Sequence, residues 1–214
     1  MRLPLILIAA TAVVATPIVA QQAMQKPGSK TPAAIAAITG GTYSVDPNHT
    51  LIGWRVDHLG FNDYFGIFGS VTGTLTLDPK RPNASKVDVT IPVSKVTTAS
   101  AGLTAHLLRA GKDGGKPDFF GPAPADARFV STSVVATGQR AKIAGNLTLN
   151  GVTKPVTLDA TFSGAGKMPA QMGGKETIGF HATTVIKRSD YGVSMAIPLV
   201  SDDVRLDITA AFEK

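Results

Sequence analysis

Gly145-Asn146-Leu147-Thr148-Leu149-Asn150-Gly151-Val152-Thr153-Lys154-Pro155-Val156-Thr157-Leu158-Asp159 reads as a β-hairpin, and it decides the fold class. Leu147 and Leu149 point to one face and Thr148 to the other, the period-2 signature of a strand with one buried side. Asn150-Gly151 then supplies two residues that accept positive φ at little cost, which suits a tight reversal between twisted strands. Beyond the turn Val156 and Leu158 resume the apolar rhythm, with Thr157 and Asp159 outward.

The same rhythm extends over most of the chain. Strand patterns occur at 51–59, 66–78, 86–96, 128–136, 141–149, 154–162, 177–187 and 204–212, eight segments in all. In the first, Ile52, Trp54, Val56 and His58 share a face. In the last, Val204, Leu206, Ile208, Ala210 and Phe212 alternate with polar neighbours. One interval breaks the pattern: 100–109 places Leu103, Leu107 and Leu108 at helical spacing after Ser100 as N-cap, which predicts a short helix near one end of the sheet. The expected class is all-β and antiparallel. The strands share an apolar face, which must be buried in a packed interior or around a cavity.

The first 20 residues read as a secretion signal: Arg2, an apolar run over 3–15, and a small residue, Ala20, before Gln21. Residues 21–42 carry Pro27, Gly28, Ser29, Pro32 and several alanines without useful periodicity, the composition of a flexible linker. The domain is expected over 43–214. There are no cysteines, so a disulfide framework, a thiolate metal site and a thiol nucleophile are excluded. A 43% hydrophobic content suffices for one unstapled core. The net charge of +6 is spread along the chain rather than gathered into the dense basic stripe of a nucleic-acid protein.

Catalytic signatures are missing from the sequence: it contains no Gly-x-Ser-x-Gly elbow, Ser-x-x-Lys pair, P-loop or Gly-x-Gly-x-x-Gly fingerprint. The four histidines, His49, His58, His106 and His181, carry no ligand-spaced motif. His49 and His58 also differ in parity along what reads as one regular strand, so no metal site is expected. Asp202-Asp203 flanks a strand and does not resemble a hydrolytic pair. The aromatics Trp54, Phe65, Phe68, Phe119, Phe120, Phe129, Phe162, Phe180, Tyr191 and Phe212 can pack a core or line a cavity. Small inward residues (Gly73, Gly145, Ala160 and Ala182) would leave room for the second.

Tyr43-x-x-Asp46-x-x-His49-Thr50, Val56-x-His58-x-Gly60, Phe68 and Gly73 resemble the opening of the YceI-like family. The likeness continues through His106-Leu107, Asp118-Phe119-Phe120, Arg128-Phe129-x-Ser131, Gly145-x-Leu147-Thr148-x-x-Gly151-Val152-Thr153-Lys154 and Arg188-x-Asp190-Tyr191-Gly192. It departs in the glycine-rich 109–119 stretch and at Ala105, where an acidic residue is expected. The resemblance implies an extended eight-stranded, lipocalin-like β-barrel exported to the periplasm. It further implies a long-chain amphiphile of isoprenoid quinone, polyprenyl or fatty-acyl type held inside. On that reading Ile52, Trp54, Val56, Phe68, Phe119, Phe120, Phe129, Leu147, Phe180 and Tyr191 line the cavity. His58, His106, Arg109 and Arg188 would meet the head group. The expected partner is a lipid, not a nucleic acid, with a membrane or membrane redox protein as a further partner and the chain a monomer or homodimer. No catalytic residue and no cofactor other than the bound amphiphile is expected. The competing readings are a lipid-modifying enzyme using a rim histidine and a ligand-free partner module.

Overall fold

The computed structural model describes residues 26–214, so the expected leader at 1–20 lies outside the described residues. The strands are β1 (Gly41–Val45), β2 (Leu51–His58), β3 (Asn62–Phe68), β4 (Thr72–Leu77), β5 (Lys86–Ile91), β6 (Thr97–Thr98), β7 (Ala127–Thr137), β8 (Arg140–Leu149), β9 (Val152–Lys167), β10 (Glu176–Lys187) and β11 (Asp203–Glu213). β1 and β2 lie end to end along one edge of β11, at Val45↔Phe212 and Ile52↔Ile208. On their other side β1 pairs with β4 and β2 with β3. β5 and β6 in turn pair with β4 and β3. These six strands therefore form three broken staves, 41–58, 62–77 and 86–98. With β7 to β11 they make a closed antiparallel barrel of eight staves, sealed where β11 meets the first. Closure removes the free edges of an open sheet, although among the described residues β7 beyond Val130 has no ladder partner on its β5 side.

Local chemistry explains the turns and breaks. Asn150 and Gly151 take φ of 52° and 78°, the two positive values that a type I′ reversal needs, and Leu149↔Val152 begins the ladder beside them. The first stave breaks at 46–50, yet its seam to β11 stays bonded. Asp46 N donates to Ala211 O at 2.8 Å, and the buried Thr50 hydroxyl accepts from Ala211 N at 3.0 Å. His49 thus sits in this turn and not on a regular strand, so the parity argument made from its position does not apply.

Helix α2 (Ala101–Leu107) covers one end of the barrel, with the Ser100 side chain accepting from Leu103 N as its cap. The other end is closed by the segment expected to be a free linker. Ser29 exchanges backbone hydrogen bonds with Ala165, at 3.0 and 2.9 Å. Pro27 lies so close to Gly166 that no Cβ would fit there. Helix α1 (Pro32–Ala36) follows, capped by Thr31, and Ile35 and Ile38 pack against the core. Thr39 N and Oγ1 donate to Glu176 at 3.0 and 2.8 Å. Over 26–42 the linker expectation is therefore corrected: two isoleucines three residues apart give this strap an apolar side, too short a signal to register as a period. The buried cluster it caps includes Tyr43, Leu75, Phe162, Ile178 and Phe212.

Candidate functional site

The inward faces of the staves enclose a cavity of about 700 Å³. Its wall is almost wholly apolar because alternation sends every second side chain inward. The run Ile52, Trp54, Val56 and His58 faces it from the first stave, and Val204, Leu206, Ile208, Ala210 and Phe212 from the last. Of the residues expected to line it, Ile52, Trp54, Val56, Phe68, Phe119, Phe120, Phe129, Leu147 and Phe180 do so. Tyr191 does not: it is buried outside the lining, beside the Asn150 turn, where Asn150 Nδ2 donates to its carbonyl at 3.0 Å. Phe65 is also outside, exposed on the outer wall, because it pairs with the outward Arg55.

Aromatic rings fill much of the strap end. Phe162, Phe180 and Phe212 form a chain of edge-to-face contacts with centroids 6.0 and 6.2 Å apart. Two expected gaps, at Gly145 and Gly73, are occupied. A Cβ on Gly145 would run into the Phe129 ring, and one on Gly66 would lie 2.6 Å from Trp54 Cζ2. The glycines therefore seat these rings flat against the wall, and Gly145 leaves no free space. Gly73 instead lies against the β5 backbone at Asp88. Ala160 and Ala182 do face the cavity.

Polar groups gather at the α2 end. His58 meets Tyr64 edge-on at 4.7 Å, and both line the cavity. His106 Nε2 lies 2.8 Å from Asp118 Oδ2 and packs edge-on against Phe119. Arg109 Nη2 donates to the same Asp118 oxygen at 2.7 Å. That guanidinium, with His106 second, holds the Asp118 carboxyl below the usual carboxylate range. Arg109 itself is exposed and does not line the cavity, so its expected place at a head group is corrected.

Arg188 lines the cavity and is only 6% exposed. Its guanidinium donates to four backbone carbonyls: Ser201 at 2.9 Å, Val193 at 3.2 Å, Met195 at 2.8 Å and Val200 at 2.9 Å. Burial pushes its pKa down, against the attraction of Asp202. Most of its donors are thus committed to holding the 193–201 loop over the cavity end. The other two histidines lie apart, His49 with Asp46 at 2.5 Å and His181 with Asp207 at 2.7 Å. No cluster of three candidate metal ligands occurs among the described residues.

Sequence reasoning missed three groups of lining residues. Ile35 and Ile38 come from the strap, Leu103 and Leu107 from α2, and Val193, Met195, Ala196 and Val200 from the loop before β11. In the sequence the leucines register only as a helix signal. The loop residues have no regular period; the Arg188 carbonyl bonds and the backbone bonds of Leu59 and Ser201 bring them over the barrel.

The YceI-like domain family model matches residues 43–212. Protein YceI of Salmonella arizonae is 40% identical over 170 residues, covering 78% of this chain and 84% of that protein. The crystal structure of a Campylobacter jejuni YCEI protein superposes with a TM-score of 0.60 at 32% identity, over 74% of this chain and 89% of that one. A polyisoprenoid binding domain from Saccharophagus degradans, implicated in plant cell wall breakdown, shares the fold at 15% identity with a TM-score of 0.55, over 80% of this chain and 97% of that one.

Proposed function

We propose, on the premise that this chain belongs to the YceI-like family, that it is a periplasmic binding and carrier protein for a long-chain amphiphile of isoprenoid quinone, polyprenyl or fatty-acyl type. One observation carries the reading: the cavity of about 700 Å³ runs between the staves with an apolar wall. That volume falls in the usual range of small-molecule sites. Each buried CH₂ contributes about 0.8 kcal/mol, so a long chain binds firmly with few polar contacts. The name of the Saccharophagus degradans domain points to the same ligand class.

The head group sits at the α2 end, where His58, Tyr64, His106 and Arg188 line the wall. Arg188 makes no ion pair among the described residues, so its charge favours an anionic or strongly polarised head there. The ligand is held and released unchanged.

Mass spectrometry of an organic extract from protein purified without detergent tests this. A stoichiometric long-chain amphiphile is expected, and returning it to stripped protein should change Trp54 emission. Extracts without lipid, together with unchanged Trp54 emission on titration with quinone, polyprenyl phosphate and fatty acid, would overturn the proposal.

A further inference from the structure

The turn between β2 and β3 and the loop before β11 stand side by side at the α2 end of the barrel. Leu59 N donates to Leu199 O at 2.8 Å, Ser201 N donates to Asp57 O at 3.0 Å, and His58 bridges Val200. Together these segments carry the most exposed apolar side chains of that end: Phe61 at 87%, Leu199 at 62%, Leu59 at 45% and Met195 at 43%. Burial in the fold does not explain them. Phe61 sits on the tip of a tight turn closed by Phe61 N to His58 O at 3.2 Å and Gly60 N to Asp57 Oδ1 at 2.9 Å.

We infer that this apolar crown is a membrane-docking surface through which the cavity exchanges its lipid with a bilayer. The inference rests on the carrier reading. The patch is continuous with the cavity, because His58, Met195, Ala196 and Val200 of the same two segments line it. A chain leaving the cavity past these joined segments therefore meets Leu59, Phe61 and Leu199 before water. Neither 57–63 nor 193–201 contains a lysine or arginine, and the acidic Asp57 and Asp63 are engaged with Gly60 N and Arg55. The neighbouring Lys116 donates to Gly192 O, and the two segments themselves offer apolar insertion into the interface without the cationic face that draws a protein to anionic lipid. The exposed parts of four side chains are also a smaller footprint than the ~800 Å² per partner of a stable protein interface, which favours a bilayer over a second protein.

Hydrogen exchange of the full chain with and without phosphatidylcholine vesicles tests the docking surface. Vesicles should slow exchange in 57–63 and 193–201 but not at 137–140, equally at low and high salt. The double variant Phe61→Ser/Leu199→Ser should lose this protection and partition about tenfold less, or lower, onto vesicles. Val185→Ser, at an exposed site on the outer wall, should behave as wild type. Each preparation is also extracted, and the double variant should retain the same lipid in the same amount. Lipid present without vesicle protection of the crown overturns the docking surface and leaves the carrier reading standing. Protection that high salt removes, or that grows with protein concentration in the absence of vesicles, also overturns it. Crown protection in protein that holds no lipid sinks the carrier reading instead.

Discussion

Glu176 accepts hydrogen bonds from Thr39 N, Thr39 Oγ1 and Tyr43 Oη, the last at 2.6 Å, and so pins the strap to the barrel. Burial alone would raise its pKa, but these donors outweigh burial and hold the carboxyl below its ordinary value. A depressed folded-state pKa contributes stability that is present above the unfolded value, about 4.3, and is lost as pH falls through the folded value. Glu176→Ala should cost about 1.5–3 kcal/mol near neutral pH, as expected for hydrogen bonds to a charged group. The difference in melting temperature between wild type and Glu176→Gln should shrink as pH drops below about 4. Arg188→Met should be destabilised by about 3 kcal/mol in denaturant titration, because four carbonyls lose their donor together. The sequence reading placed Arg188 at the ligand end. Its carbonyl cage could not be foreseen, because those acceptors are backbone atoms of an irregular loop.

At the scale of elements, alternation reveals which strand faces turn inward but not what fills the space in front of them. Ala182→Phe, on a stave that lines the cavity, should weaken longer ligands first, with an overpacking cost of about 1–3 kcal/mol checked by thermal melting. Gly145→Leu should instead cost more stability than Ala182→Phe, since the Phe129 ring must leave its seat. The Asn150-Gly151 hairpin and the alternating β11 were legible because local chemistry and tertiary packing agree there. The strap was not, because its anchors, Ala165, Gly166 and Glu176, are supplied by partners more than a hundred residues away. β1 was missed for a similar reason: a five-residue strand in which only Tyr43 and Val45 are buried gives little periodicity. Ile35→Asp/Ile38→Asp should loosen this end and speed loss of bound lipid, followed by Trp54 emission.

For the molecule as a whole, the closing seam joins residues 150 or more positions apart in the chain. The last stave, β11, pairs with β10 on one side and with the first stave, 41–58, on the other. Lys214, directly after β11, donates to Thr39 Oγ1 and to the Gly40 carbonyl, so the last stave meets the residues leading into the first at the strap end. Contacts that join the two ends of a chain are the costliest to form early, since the whole intervening loop must be closed at once. The barrel can therefore enclose its interior only after β11 becomes available. Until then the apolar inner wall is an open, curling sheet. A chain emerging residue by residue through a narrow pore would complete its container only once β11 is through, and loading would wait on that strand.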